Sequence, residues 1–205
     1  MAFWSENFGQ AGTALKDPKR KFRFKVTFTG IDNSGNGGIM WYAKTVSKPS
    51  FTIESTEHTY LNHKFYYPGA VTWQDVTMTL VDPVDPDMTA TLSAIIQGGG
   101  YQPPLNADSA TSMGTMSKAT ATQALGGITI DQIDAAGETL ETWTLHNPFI
   151  TEVKYGDLAY GDDELVEVSI TLKYDWAKVE TTNASAAAIG TGNSFFATND
   201  GAGAA

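Results

Sequence analysis

The chain has 205 residues, 41% hydrophobic and 11% aromatic, with no cysteine and 13 basic against 23 acidic side chains, a formal charge of −10. That is one domain's length with enough apolar matter for a sizeable core, which excludes wholesale disorder; zero cysteine removes disulfides, thiolate metal centres and cysteine nucleophiles together. The charge is uneven, because residues 1–64 carry nine basic and five acidic side chains and residues 65–205 four and eighteen. A protein that grips nucleic acid concentrates positive charge on its binding face, and the larger part of this chain does the opposite. If copies assemble, the basic segment of one can meet an acidic surface on the next. No apolar run reaches the roughly 18–20 residues of a membrane span, and Met1 to Glu6 has neither a basic nor an apolar leader region, so a soluble protein made in a cytoplasm is expected.

Alternation with a period of two dominates the chain. Phe22, Phe24, Val26 and Phe28 alternate with Arg23, Lys25, Thr27 and Thr29, which predicts a half-buried strand ended by Gly30. The polar, glycine-rich stretch 31–38 then reads as a turn and Ile39 to Val46 as a second strand, making a hairpin. Val76, Met78 and Leu80 mark another strand, and residues 127–133 and 139–146 two shorter ones. From Val166 through Trp176 the alternation is the longest and cleanest, predicting one continuous strand.

One helix is expected after Asp85-Pro86-Asp87. Asp85 can cap it, Pro86 suits the first turn, and Met88, Leu92, Ile95 and Ile96 form an apolar stripe that Gly98-Gly99-Gly100 ends. A weaker helix falls within residues 109–125. The fold class is therefore mainly β: an antiparallel β-sandwich or barrel with one packed α-helix and a long protruding β-hairpin. The domain reading is a single unit over 1–180, with a lead over 1–19 and the hairpin over 44–69, followed by an Ala/Gly-rich tail over 181–205. The hairpin carries Phe51, Tyr60, Phe65, Tyr66 and Tyr67, and a two-stranded ribbon is marginal alone in water, so this apolar surface asks for a partner. In the tail, Ile189, Phe195 and Phe196 offer docking points for a neighbour.

Catalytic constellations are missing from the pattern. There is no Gly-x-Ser-x-Gly elbow, phosphate loop or His-Glu-x-x-His. His58, His63 and His146 are scattered, and no further ligands accompany them. Asp82 to Asp87 looks superficially like a calcium loop but lacks its central Gly and terminal Glu. Gly161-Asp162-Asp163-Glu164 reads as a solvated turn, and Asn183-Ala184-Ser185 as an acceptor sequence without meaning outside a secretory route. No cofactor, metal or enzymatic activity is expected.

In order and spacing, several segments resemble the tail tube protein of contractile-tailed bacteriophages. They are Arg20 to Val26, Ala43 to Pro49, Tyr66 to Gly69, Trp73 to Val76, Asn147 to Ile150, Val153 to Leu158 and Leu172 to Ala177. Residues 101–126 and the tail after Glu180 have no counterpart in the resemblance.

The resemblance implies homo-hexameric rings stacked into a tube inside a contractile sheath, in the virion, after assembly in the host cytoplasm. Its implied partners are further copies of the chain, the sheath protein, and the baseplate and tail-terminator proteins, with viral DNA passing through unbound and no membrane involved. The hairpin would reach an adjacent ring through Phe51, Ile53, Tyr60 and Phe65, and Phe3, Trp4 and Phe8 of the lead would pack on a neighbouring subunit. An acidic lumen would repel DNA over a screening length of roughly 8 Å and let it slide; Asp131 and Glu167, at polar strand positions, are its candidate carboxylates. The alternatives are a tube-initiating, terminating or baseplate-junction protein, the tube of a related injection machine, and a carbohydrate-binding sandwich using Trp41, Tyr42, Tyr66 and Tyr67 as stacking platforms.

Overall fold

The computed structural model describes residues 18–30, 38–39, 42–85, 87–102, 114–182 and 194–195. Phe3, Trp4, Phe8, Trp41, Ile189 and Phe196 lie outside these residues. Among the described residues the chain runs β1 (Phe24–Phe28), β2 (Gly38–Ile39), β3 (Ala43–Val46), β4 (Ser50–Tyr60), β5 (His63–Gln74), β6 (Val76–Val81), α1 (Met88–Gly98), α2 (Lys118–Leu125), β7 (Ile128–Ile133), β8 (Thr139–His146), β9 (Phe149–Lys154), β10 (Glu167–Lys173), β11 (Trp176–Thr181) and β12 (Ser194–Phe195). One sheet has the order β12-β11-β8-β7-β1-β2, a second β3-β6-β10-β9, and among the described residues β4 and β5 pair only with each other. Every pairing is antiparallel.

The core lies between the two larger sheets, where alternate residues point inward. Val26, Phe28, Ile128, Ile130, Leu145 and Ala177 come from one sheet, and Val76, Met78, Leu80, Val168, Ile170 and Leu172 from the other. Met88 and Leu92 of α1 and Leu125 of α2 add to it, and α2 falls within the 109–125 stretch expected to hold the weaker helix. Thr120 explains why the polar α2 forms: with Ser117 it makes a reciprocal capping box, and its hydroxyl also donates to Gly99 O at 2.7 Å, tying the two helices together. The cap of α1 is Asp87 rather than Asp85, with its carboxylate accepting from Ala90 N at 3.0 Å. Asp82 reinforces the same turn, accepting from Met88 N and the Thr89 hydroxyl, so the superficial calcium sequence serves as helix capping.

Two expected strands are each divided between sheets. Residues 39–46 do not continue as one strand: β2 pairs with β1 in the larger sheet, and β3 pairs with β6 in the smaller. The clean alternation from Val166 to Trp176 breaks at Tyr174 and Asp175, and β11 leaves for the other sheet. Inward positions are even-numbered through Leu172 and Tyr174 but odd-numbered at Ala177 and Val179, which leaves Trp176 stacked on His146 at 4.9 Å. Asp175 holds this corner, accepting from Lys118 Nζ and from Asn147 Nδ2 at 2.8 Å. Phe195 pairs with Val179 of its own chain at the edge of the larger sheet.

Gly30 and Gly126 let the end of β1 meet the end of α2. A Cβ on Gly126 would lie 2.4 Å from Gly30 N, and Gly126 has a φ of 70° that side-chain-bearing residues rarely adopt.

Candidate assembly surface

The ribbon of β4 and β5 is exposed along its whole length except at half-buried Trp73, and eleven residues of strand reach roughly 35 Å. Its register places Phe51 opposite Trp73 and Ile53 opposite Val71 on one face near the root. The register then shifts between Ile53 and Ser55, where Gly69 and Ala70 together oppose Glu54. Beyond the shift Thr56 faces Tyr67, His58 faces Phe65 and Tyr60 faces His63. The aromatic positions of β5 keep their odd numbers, but the extra residue turns them over, so the apolar stripe crosses from one face to the other. Polar contacts follow the same crossing. Gln74 Nε2 donates to Thr52 Oγ1 at 3.2 Å opposite the apolar root, and Lys64 pairs with Glu57 at 2.9 Å opposite the aromatic tip. Of the expected contact residues, Phe51 and Ile53 thus lie on one face and Tyr60 and Phe65 on the other. Tyr60 is 64% and Ile53 55% exposed, far too open for a core role.

The root is held from both sides. Phe51 meets Trp73 edge-on at 5.1 Å, and Trp73 packs on Tyr174 at 5.9 Å, joining the ribbon to the core. Lys48, two residues before β4, donates to Gln132 Oε1 and Glu141 Oε1, each at 2.6 Å. Glu141 also accepts from Lys19 and from the indole of Trp143. Burial pushes the Glu141 carboxyl up, but the hydrogen bonds from Lys19, Lys48 and Trp143 more than reverse this and hold it down at about 2. The sequence reading missed Glu141. Its only signal was a carboxylate at an inward position of β8, which needs a cationic partner once buried.

Asp131 and Glu167 are not brought together. Asp131 lies on the larger sheet, 7% exposed, 3.4 Å from Lys25 Nζ and accepting from the Thr142 hydroxyl at 2.6 Å. Glu167 lies on the smaller sheet and pairs with Lys44, whose pKa is raised by that hydrogen bond. Each expected lumen carboxylate therefore has a lysine of its own chain beside it. Tyr66 and Tyr67 point to opposite faces of the ribbon, and Tyr42 packs against the core, so they form no common sugar platform. Among the described residues no cluster of potential metal ligands occurs, and no helix is long and apolar enough to cross a membrane.

No family model matches the sequence, and no curated protein matches it either. Solved structures do match over most of the chain. The sheath-tube complex of the extracellular contractile injection system PVC, in its extended state, contains a chain 19% identical, covering 80% of this chain and 92% of that one at a TM-score of 0.57. The tube-terminating cap of the anti-feeding prophage gives 22% identity, 88% and 99% coverage and 0.56. The baseplate of the same prophage, reconstructed with six-fold symmetry, gives 15%, 80% and 96%, and 0.57. The protein therefore has the fold found in the tube, cap and baseplate assemblies of contractile injection systems.

Proposed function

We propose that this chain is a tube subunit: homo-hexameric rings of it stack into the inner tube of a contractile phage tail, the conduit for DNA ejection. The observation that carries the reading is the ribbon, whose long strands expose aromatic and aliphatic side chains on both faces. Such a ribbon is marginal by itself and is accounted for only by partners on two sides. Phe51 and Ile53, continuous with the core, serve contacts within a ring; Tyr60 and Phe65, at the distal end, reach the next ring. Phe3, Trp4 and Phe8 of the lead add a further subunit contact. Residues 1–180 act as one unit, and the six-fold symmetry of the similar baseplate supports a hexamer.

One wall cannot take both candidate carboxylates, since they lie on opposite sheets. The smaller sheet suits the lumen better, because Thr77, Thr79, Ser169 and Thr171 make its outer face a row of hydroxyls, whereas the larger sheet presents the Trp176–His146 stack. Glu167 then faces the bore and Asp131 the sheath side. The particle is a virion, with sheath, baseplate and terminator proteins as partners.

Negative-stain microscopy of the purified protein tests the reading: hollow tubes are expected, and monomers under all conditions would refute it. A second reading, a tube-terminating cap, is favoured by the coverage of the anti-feeding prophage cap. Rings that never stack would select it.

A further inference from the structure

The smaller sheet turns Val76, Met78 and Leu80 of β6 and Val168, Ile170 and Leu172 of β10 into the core, so the residues between them face outward. Register sets Ser169 opposite Thr79 and Thr171 opposite Thr77, with Thr45 of β3 and Glu152 of β9 in the flanking strands. Among the described residues three lysines stand on this hydroxyl-rich face, and each meets a carboxylate of its own chain. Lys44 reaches across β6 to Glu167, Lys154 pairs with Glu152 on β9 at 3.2 Å, and Lys173 pairs with Asp75, one residue before β6, at 3.7 Å. The neighbouring charges tip the same way. Glu164 also acts on Lys44, the connection 155–166 that follows Lys154 contains four acidic residues and no basic one, and Lys118 at the nearby corner is paired with Asp175. Every lysine of the face is thus compensated, and the surplus around it is negative.

Exposed ion pairs of this kind add little to stability, so their consequence lies in the charge that the face presents. A polyanion is held where lysines are free to take the place of its counterions. A carboxylate tethered within a few ångströms of each lysine, well inside the screening length of ~8 Å, cancels that lysine's field whether or not the contact is closed at a given moment. We propose that Asp75, Glu152 and Glu167 mask the three lysines, so that DNA sliding along this face meets no phosphate-binding point. The inference rests on the tube reading, in which this face lines the bore, and gives these carboxylates a task other than repelling the duplex.

Co-sedimentation of a short labelled DNA duplex with assembled tubes tests it. Wild-type tubes should carry down almost none, even at about 50 mM salt. Tubes with Asp75→Asn, Glu152→Gln and Glu167→Gln, which bare the lysines, should carry down about tenfold more or better and release it by about 200 mM salt. Adding Lys44→Gln, Lys154→Gln and Lys173→Gln should return retention to the wild-type level. Retention that persists in this sixfold variant would mean lost repulsion rather than bared lysines and would overturn the inference. So would a triple variant that retains no DNA, or wild-type tubes that hold it. The same duplex fixed to beads wider than the tube should stay unbound by the triple variant; binding there would put the face outside the bore and overturn the inference while leaving the tube standing. If the triple variant does not fold, Glu152→Gln alone, in an exposed pair within one strand, gives the same readout at lower amplitude. Wild-type protein that never forms tubes under the microscope would overturn the tube reading and this inference with it.

Discussion

Lys48 Nζ lies 2.6 Å from Glu141 Oε1, and this contact joins the root of the exposed ribbon to the inner end of β8. The Lys48–Gln132 hydrogen bond and the packing of Phe51 on Trp73 and of Trp73 on Tyr174 hold the same root. A carboxylate only 8% exposed is stabilised here by two ammonium groups and an indole, and removing one partner of such a site costs more than forming it returned.

The stability of the subunit should fall in acid because of Glu141. Its carboxyl titrates at about 2 when folded against an ordinary 4.5, so as pH drops the unfolded chain takes up the proton first. The contribution is complete above about pH 5 and lost progressively toward pH 2, and it amounts to about 2–3 kcal/mol once screening at the half-exposed lysines is allowed for. Urea denaturation of a non-assembling background measures it; Glu141→Gln should flatten that part of the profile. An unchanged profile would remove Glu141 from this role.

Phe28 is fully buried between the sheets. Phe28→Ala should destabilise the subunit by about 3–5 kcal/mol, read as a lowered midpoint in the same denaturation. A loss under 1 kcal/mol would mean that the sheets collapse onto the space.

Two glycines with positive φ should respond differently to alanine. Gly126→Ala forces a Cβ onto Gly30 N and should cost more than about 2 kcal/mol, whereas Gly137→Ala, with φ 87° and nothing within 4 Å, should cost only the backbone term of roughly 1 kcal/mol. Thermal melts of the pair check this; equal losses would show that the Gly30 contact is unimportant.

The crossing of the ribbon's apolar stripe separates two kinds of variant. Ile53→Ser with Val71→Ser should give monomers, and Tyr60→Ser with Tyr67→Ser should give rings that do not stack. Both should leave monomer stability within about 0.5 kcal/mol of the parent, since all four side chains are exposed. Light scattering and microscopy distinguish the products; the same assembly defect in both would contradict the division of faces.

Much of the fold was legible because alternation is a local signal. β1, β6, β7 and β8 fall where the pattern of Val26, Met78, Ile130 and Leu145 placed them, and α1 where Met88 and Leu92 did. The strand β9 escaped because Phe149, Ile150 and Val153 do not alternate cleanly across the shifted register at Thr171 and Leu172. The polar α2 escaped a firm reading because a capping box and a tertiary hydroxyl contact, rather than an apolar stripe, stabilise it.

What the amino-acid sequence determined by itself was which residues alternate, where the single-sign charge lies and that an aromatic ribbon needs company, since each follows from residue type at short separation. Only the tertiary structure decided which sheet a strand joins. At Asp175 the alternation runs on but the inward parity changes, and at Gly69 and Ala70 one extra residue turns an unbroken aromatic pattern over. It also decided what the charges do. Asp131 and Glu167, acidic in sequence, each stand beside a lysine contributed by a distant strand. Coulombic pairing acts over a few ångströms of space whatever the separation in sequence, so which carboxylates of the −10 chain gain a lysine partner is settled only once it is folded.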